Sequence, residues 1–316
     1  MIGFKTGANV PLSTLRTEAK LPKKFLVGLI GEGIEHSLTP DLHMREAREL
    51  GLEYEYQIID VLEPYLAGKP IEELMATARE AGFDALNITY PFKQQVIGQL
   101  AEISHEVGQL QSANLVLNLQ ADPRGENTDW TGFEFALKQA LPEAERGLVI
   151  QVGVGGAGSA TAYALLRWGV EHLVLADLNF ERADALAARY GILFPQQKVE
   201  ALPVAEALAL LPTAAGVVNA TPIGMYTHPG LPFDITWLPQ AAWVADVIYR
   251  PMETELIAAA RAAGRKVVPG GLMAIGQAVD SLRLITGREP DASRMTAHFF
   301  ELLADESVLT RARGLQ

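Results

Sequence analysis

Short apolar runs alternate with amphipathic stretches over the first half of the chain. Strands are predicted at 25–30, 54–61 and 85–88, because each is a brief apolar run or an apolar–polar alternation bounded by loop residues. Helices are predicted between them, from about 40 to 50 and from about 71 to 81. The order is therefore β-α-β-α-β, which is typical of an α/β fold.

The remaining pattern predicts a boundary and then a second sheet. Apolar residues recur at helical spacing over 100–110 and indicate an amphipathic helix. A loop at 124–128 should mark the boundary between two domains, and a helix over 130–141 should follow it. The strands predicted beyond it are 148–152, 173–177, 216–220 and 243–248. Helical segments separate these strands, so we expect a parallel sheet with right-handed crossovers.

The composition narrows the class of protein. The chain has 316 residues, 49% of them apolar, which suits two domains. Its formal net charge is −12 and its 26 Lys and Arg residues are scattered, so neither a nucleic acid nor an anionic membrane is an expected partner. The absence of cysteine excludes disulfides, thiolate metal sites and a catalytic thiol, and we expect no metal site.

The hydropathy of the chain and its first residues indicate where in the cell the protein is expected. No run approaches the roughly 18 uninterrupted apolar residues of a membrane span, and the start lacks a signal-like apolar core. With no cysteine, a cytoplasmic location is the expectation. The first 20 residues or so are expected to form a flexible lead-in or an edge extension.

A glycine-rich loop, VIQVGVGGAGSA, follows the predicted strand 148–152 and opens a helix. Gly153, Gly155 and Gly158 match the G-x-G-x-x-G pattern, in which glycines allow a tight turn and close approach to a pyrophosphate. The unpaired N–H groups of the following helix suit the same anion. The alternative is a tight strand-to-helix turn without a ligand.

An acidic residue follows the next predicted strand, where it bears on the choice of dinucleotide. Asp177 lies 19 residues after Gly158, and a carboxylate there can accept hydrogen bonds from ribose hydroxyls while repelling a 2′-phosphate. This favours NAD over NADP. Arg182 lies five residues further on and could partly accommodate a phosphate, so NADP stays open. Alternatively, Asp177 merely caps the next helix.

Polar clusters lie where strands end in the first half, at HSLTP (36–40), NITYPFK (87–93), Asn114 and ENTDWTG (126–132). In open α/β sheets the carboxyl ends of strands are where ligands bind. Each cluster also has a plainer interpretation. Ser37 would cap a helix or form a turn before Pro40, a lone Lys93 would be solvated, and Asp129 would cap the next helix.

With these clusters, the chain from 25 to about 294 resembles the shikimate dehydrogenase family, most closely its NAD-using quinate/shikimate branch. Three further motifs carry the resemblance: VNATPIGM (218–225), DVIYRPMETEL (246–256) and GGLMAIGQAVD (270–280). It implies reversible oxidation of a ring hydroxyl on a cyclohexane or cyclohexene carboxylate. Together these motifs are far more specific than the glycine loop alone.

The resemblance assigns roles to matching positions. It implies that Lys93 and Asp129 are catalytic and that Ser37 and Thr39 hold the carboxylate, with Thr39 replacing a serine as in the quinate-accepting branch. A Lys beside a carboxylate is a plausible proton-transfer pair. The implied substrate-binding positions are Ser37, Thr39, Asn87, Thr89, Asn114, Tyr249 and Gln277. By themselves, the last three would be a loop-stabilising Asn, a half-buried Tyr and a helix-surface Gln.

The same resemblance extends to the cofactor. Residues after the strand 216–220 should pack along the nicotinamide riboside, although Met225 could equally be core. The expected cofactor positions are Gly153, Gly155, Gly156, Ala157, Gly158, Asp177, Arg182, Asn219, Thr221, Pro222, Met225, Gly270 and Met273.

The expected fold is α/β, with an N-terminal α/β substrate domain and a Rossmann-type, doubly wound parallel-sheet cofactor domain. Residues 1–127, completed by 271–316, would bind the substrate, and residues 128–270 would bind the dinucleotide. The active site would then lie in the cleft between the domains. A monomer or a homodimer is expected.

One loop departs from the family pattern. Before and after Asn114 the family reads G-A-V-N-T, whereas this chain has QSANL (111–115), so an altered contact with the ring is expected.

A modified ring acid such as aminoshikimate is therefore an alternative substrate. A non-catalytic NAD sensor of the same fold is another alternative, since fold alone does not fix function. His36 is expected to be a loop residue without a required role.

Overall fold

The structure, a computed structural model, describes residues 24–312, with side chains as far as residue 304. The lead-in expected at the start of the chain lies outside the described residues. Two six-stranded sheets form within this range, each with helices packed against it. None of the helices in 24–312 combines the length and apolarity that crossing a membrane requires.

The first sheet is mixed. Its strands are β1 (Lys24–Gly31), β2 (Glu53–Asp60), β3 (Ala85–Ile88), β4 (Glu102–Ile103), β5 (Leu115–Leu117) and β6 (Arg124–Glu126). They lie in the order β2-β1-β3-β5-β6-β4, in which β1 runs parallel to β2 and β3 while β5 is antiparallel to both of its neighbours. The helices of this half are α1 (Thr39–Glu49), α2 (Ile71–Glu80) and α3 (His105–Leu110).

The second sheet is parallel throughout. Its strands are β7 (Leu148–Val152), β8 (His172–Ala176), β9 (Lys198–Ala201), β10 (Gly216–Asn219), β11 (Trp243–Asp246) and β12 (Val267–Val268), in the order β12-β11-β10-β7-β8-β9. The helices that follow α3 are α4 (Asp129–Ala140), α5 (Gly156–Trp168), α6 (Phe180–Leu193), α7 (Val204–Ala209), α8 (Glu255–Ala262), α9 (Gly270–Thr286) and α10 (Ala292–Ala312). Val149 and Ile150 are successive on β7 and belong to separate cores on opposite faces of the sheet.

The predicted α/β fold with a doubly wound parallel sheet is confirmed, and outside 100–110 the predicted strands and helices recur with small shifts at their ends. The domain limits 1–127 with 271–316 and 128–270 stay a prediction. The strands of the first sheet all precede residue 127, and those of the second lie between residues 148 and 268.

The helix predicted over 100–110 is wrong in its first half. Ile103 instead belongs to β4 and pairs with Gly125 on β6, and α3 begins only at His105. Ser104 separates the two elements because its side chain accepts a hydrogen bond from Val107 N, which starts the helix there. The predicted boundary loop is also wrong over 124–126, since these residues form β6 and pair with β5.

Two helices connect the sheets through a contact that only glycine permits. A Cβ on Gly132 of α4 would lie 2.6 Å from Met273 O and 2.7 Å from Gln277 N of α9. A Cβ on Gly276 would lie 2.9 Å from Gly132 O. The two helix backbones are therefore in direct contact, with α4 beginning at Asp129 and α9 carrying Gln277.

Replacing Gly132 by alanine should lower the free energy of unfolding by about 1–3 kcal/mol, because the new methyl group must push α4 away from α9. The position of Asp129 should change as well, since it is the first residue of α4. The matched control is Gly191→Ala on α6, where a Cβ meets nothing within 4 Å and should raise stability by about 0.5–1 kcal/mol. Urea unfolding measures the free energy of unfolding of both variants. A Gly132→Ala variant as stable as the parent would contradict the contact between α4 and α9.

Candidate active site

A cavity of about 660 Å³ lies between the two sheets. Its wall comes from the loops that follow β1, β3, β10 and β11, from the start of α4, and from the first half of α9. Carboxyl ends of parallel strands from both sheets thus face one cleft, which is where α/β proteins bind ligands. The predicted site residues that line it are Ser37, Thr39, Asn87, Thr89, Lys93, Asn114, Asp129, Ala157, Thr221, Pro222, Met225, Tyr249, Gly270, Met273 and Gln277.

An ion pair lies in the wall of this cavity. Lys93 Nζ is 2.7 Å from Asp129 Oδ2, and the two side chains are 19% and 10% exposed. The N-cap position of α4 is Thr128, and Asn127 Oδ1 accepts hydrogen bonds from Asp129 N at 3.0 Å and from Trp130 N at 3.4 Å. The interpretation of Asp129 as a mere helix cap is therefore wrong, and its carboxylate is available to Lys93.

Asn114 fixes the orientation of this carboxylate. Its Nδ2 donates to Asp129 Oδ1 and to Thr128 Oγ1, both at 3.0 Å, and its Oδ1 accepts from Thr128 N at 2.7 Å. Both amide hydrogens of Asn114 are thus used inside the protein. Beside its predicted contact with a ring hydroxyl, Asn114 has a task that the sequence did not indicate, namely to hold Asp129.

Asn87 is held in a similar way by two residues that sequence reasoning missed. The hydroxyl of Tyr56 donates to Asn87 Oδ1 at 2.8 Å, and Asn87 Nδ2 donates to Ser281 Oγ at 3.0 Å. Burial raises the pKa of Tyr56 far above its usual range, so its hydroxyl stays a proton donor. Tyr56 lies on β2 and is buried there. The alternating pattern of this stretch indicated a strand but no role for Tyr56 in the site.

The three residues expected at the substrate carboxylate all line the cavity. Ser37 and Thr39 lie where the loop after β1 enters α1, and Tyr249 follows β11. Ser37 Oγ accepts a hydrogen bond from Thr39 N at 3.3 Å, as in a serine turn. Ser37 does not cap α1, because the N-cap position is Leu38.

Other residues line the cavity without having been predicted to bind a ligand. Apart from the loop residue His36, to which no role was assigned, they include Tyr226, Thr227 and Arg250. All four lie within or next to motifs that carry the family resemblance, which is the signal that could have found them.

The altered loop, QSANL (111–115), reaches the cavity only at Asn114. Gln111 ends α3 at φ 55°, in the left-handed region that favours the glycine of the family pattern. Ser112 and Leu115 are buried, and of the five residues of QSANL only Asn114 lines the cavity. The expectation that this loop alters the contact with the ring stays a prediction.

The glycine loop between β7 and α5 has an inner and an outer side. A Cβ on Gly153 would lie 2.5 Å from Ala220 O, and one on Gly158 would lie 2.4 Å from Gly153 O, so neither position admits a side chain. Gly153 also has φ 96°. A Cβ on Gly155 or Gly156 would meet nothing within 4 Å, which leaves the outer side open. This space, at the start of a 13-residue helix, fits the pyrophosphate of a dinucleotide.

Asp177 lies beside this loop. Its Oδ2 accepts a hydrogen bond from Val154 N at 2.8 Å, and its Oδ1 accepts one from Asn179 N at 2.9 Å. Asn179, not Asp177, caps α6 by accepting from Arg182 N, so the interpretation of Asp177 as a cap is wrong. Arg182 is exposed on the first turn of α6, and neither charged residue lines the main cavity.

Asn219 requires a correction as a cofactor contact. It is fully buried and does not line the cavity. Its Nδ2 donates to Ile223 O and Asp246 Oδ1, while its Oδ1 accepts from Thr221 Oγ1 at 2.7 Å. The side chain instead shapes the loop that presents Thr221 and Met225. Met225 itself is 41% exposed, so it is not a core residue.

Asp246 is a buried carboxylate behind the same loop. It is 1% exposed and accepts hydrogen bonds from Asn219 Nδ2, Ile248 N and Thr254 Oγ1. Burial raises its pKa from the ordinary 3.8 to about 6, although these three donors act in the opposite direction. Asp246 thus connects the loops after β10 and β11, both of which line the cavity.

Comparisons with known proteins agree with this geometry. A family model described as the shikimate dehydrogenase substrate binding domain matches residues 29–116. A shikimate dehydrogenase (NADP(+)) of Arthrobacter sp. strain FB24 is 48% identical over 90% of this chain and 98% of its own. A quinate/shikimate dehydrogenase (NAD(+)) of Corynebacterium efficiens is 44% identical over 88% of this chain and 98% of its own.

A solved structure is also similar over most of the chain. The quinate dehydrogenase from Corynebacterium glutamicum in complex with NAD is 43% identical, with a TM-score of 0.84 over 88% of this chain and 99% of that one. Fold, cavity and relatives define the class of protein, an oxidoreductase that uses a pyridine nucleotide. The chain belongs to the shikimate dehydrogenase family, so the resemblance found in the motifs is confirmed.

The raised pKa of Asp246 predicts how stability depends on pH. The folded state binds this proton more tightly than the unfolded state, so the group favours folding below about pH 4 and loses that contribution as pH rises to about 6. Between these values the free energy of unfolding should fall relative to that of Asp246→Asn, by roughly 3 kcal/mol. Urea unfolding of both proteins at several pH values measures the difference, and a difference that is independent of pH would contradict the prediction.

Proposed function

We propose that the protein is an NAD-dependent dehydrogenase that interconverts shikimate and 3-dehydroshikimate, quinate and 3-dehydroquinate, or both pairs. The observation that carries this proposal is the Lys93–Asp129 pair, which lines the same cavity as the hydroxyls of Ser37, Thr39 and Tyr249. Three neutral donors suit a carboxylate at one end, and the pair suits a reacting hydroxyl at the other.

In this proposal the protein orients the ring and moves a proton. During reduction the ammonium of Lys93, 2.7 Å from Asp129, donates a proton to the oxygen of the ring carbonyl and becomes a neutral amine; during oxidation the neutral amine takes the proton of the ring hydroxyl back. Asn114 keeps Asp129 in place, so the pair approaches the substrate in one geometry. A nicotinamide dinucleotide, which the glycine loop between β7 and α5 would hold, would supply the redox chemistry as a hydride acceptor or donor.

The choice of NAD rests on Asp177. Its carboxylate lies at the end of β8 beside the glycine loop, where it would accept from the ribose hydroxyls and repel a 2′-phosphate. The relatives named for NAD and for NADP are similarly close to this chain, so the support for NAD comes from this local charge. A modified ring acid has no specific support, because the altered residues of QSANL stay outside the cavity.

The proposed reaction is tested by mixing the purified protein with NAD or NADP and with shikimate or quinate, and following the absorbance of the reduced cofactor. Lys93→Met should lower kcat by roughly 100-fold or more, because the proton acceptor is lost. The matched control is Lys138→Met, since Lys138 pairs with Glu134 at 2.8 Å on the exposed face of α4.

Parental activity in Lys93→Met would contradict the proposed mechanism. Tight binding of NAD without turnover of either ring acid would contradict the proposed reaction and favour the non-catalytic sensor.

Asp177→Asn should shift the preference toward NADP. The variant keeps an oxygen that can accept from Val154 N but loses the negative charge, so the ratio of kcat/KM with NADP to that with NAD should rise roughly tenfold. Asp184→Asn is the control, because Asp184 is an exposed carboxylate on the same helix that Asn179 caps. An unchanged ratio in Asp177→Asn would contradict the assigned role.

A further inference from the structure

A polar side chain lies inside the central strand of the second sheet. Gln151 on β7 is fully buried, and its neighbours on the strand, Ile150 and Val152, are buried and apolar. The strand pairs with β8 on one side and β10 on the other. Central strands of parallel sheets are normally continuous apolar runs, because both faces are covered. A glutamine here is unfavourable unless its amide is fully hydrogen-bonded.

The amide of Gln151 is fully used, and its donors go to the glycine loop. Nε2 donates to Gly153 O at 2.9 Å and to Gly158 O at 2.7 Å. Oε1 accepts from Thr161 Oγ1 of α5 at 2.9 Å. The threonine hydroxyl thereby sets which end of the amide faces the loop. One buried side chain thus connects the first glycine of the motif with the last.

These hydrogen bonds explain how the loop keeps its shape. Gly153 and Gly158 approach so closely that a Cβ on Gly158 would lie 2.4 Å from Gly153 O. Buried carbonyl oxygens are unfavourable unless they accept hydrogen bonds, and Gly158 O accepts one from Thr161 Oγ1 at 3.1 Å in addition to the one from Gln151, which also donates to Gly153 O. Gln151 Nε2 donates to both oxygens from the buried side of the loop. The opposite side of the loop, at Gly155 and Gly156, stays open.

We propose that Gln151 is a positioning residue for the dinucleotide, which holds the loop in its pyrophosphate-binding shape before the cofactor arrives. Gln151 does not line the cavity and acts only through the backbone of the loop. A loop that is already ordered loses less conformational entropy on binding, so affinity for the dinucleotide depends on this side chain. The inference rests on the proposed dinucleotide site.

Gln151→Met tests it, because methionine has a similar length and no hydrogen-bond donor. The Kd of NADH, measured by fluorescence titration without a ring acid, should rise roughly tenfold, since two hydrogen bonds to the loop are lost. At saturating NAD, kcat and the KM of the ring acid should stay near their parental values, because the substrate side of the cavity is untouched.

The matched control is Gln197→Met. Gln197 Nε2 also donates to two backbone carbonyls, Leu166 O at 2.8 Å and Val170 O at 2.7 Å, but at the far end of α5. This variant should lower the thermal midpoint of unfolding and leave the Kd of NADH unchanged. An equal loss of NADH affinity in both variants would mean general destabilisation and would overturn the inference.

The remaining outcomes are also decisive. A parental Kd in Gln151→Met overturns the inference while leaving the proposed function intact. If Gln151→Met does not fold, Thr161→Val removes the hydroxyl that orients the amide, and an unchanged Kd there overturns the inference as well. A parent that binds neither NADH nor NADPH would overturn the proposed function and this inference together.

Discussion

Gly132 on α4 and Gly276 on α9 bring two helix backbones into direct contact, at a separation that no larger residue allows. The helices come from distant parts of the chain, yet the first residue of α4 is Asp129 and α9 carries Met273 and Gln277 along the cavity. Their contact therefore sets how the cofactor side of the cleft faces the substrate side. Lys93, which follows β3 of the first sheet, pairs with Asp129 at the start of α4.

Buried amides then fix the groups around the cleft. Asn114 holds the carboxylate of Asp129, Tyr56 and Ser281 hold Asn87, and Gln151 holds the carbonyls of the glycine loop. Each amide is fixed by partners on both its oxygen and its nitrogen, so its orientation is determined and the buried polar atoms are satisfied. Rigid support of this kind keeps reacting groups in place, which matters because small displacements reduce rates strongly.

The strands and most helices followed from hydrophobic periodicity, which is a local property. Prediction failed where pairing with distant residues decided the structure. The apolar spacing over 100–110 suggested one helix, but Ile103 pairs with Gly125 instead. The short strand β6 has no apolar pattern of its own and exists because β5 and β4 pair with it. In the site, motifs identified the residues around the cavity, yet they did not reveal that Asn219 is buried or that Tyr56 supports Asn87.

The sequence by itself determined the α/β fold, the glycine loop and the family, because hydrophobic periodicity and motif spacing are written along the chain. Only the tertiary structure decided which partner each polar side chain takes. Asp129 could have capped its own helix, but it is the first residue of α4, its N–H donates to Asn127 Oδ1, and its carboxylate pairs with Lys93. Gln151 lies on a strand, and its amide donates to the glycine loop because the folded chain brings Gly153 O and Gly158 O next to it. The physical reason is that hydrogen bonds between residues far apart in sequence depend on positions that only the packed core fixes.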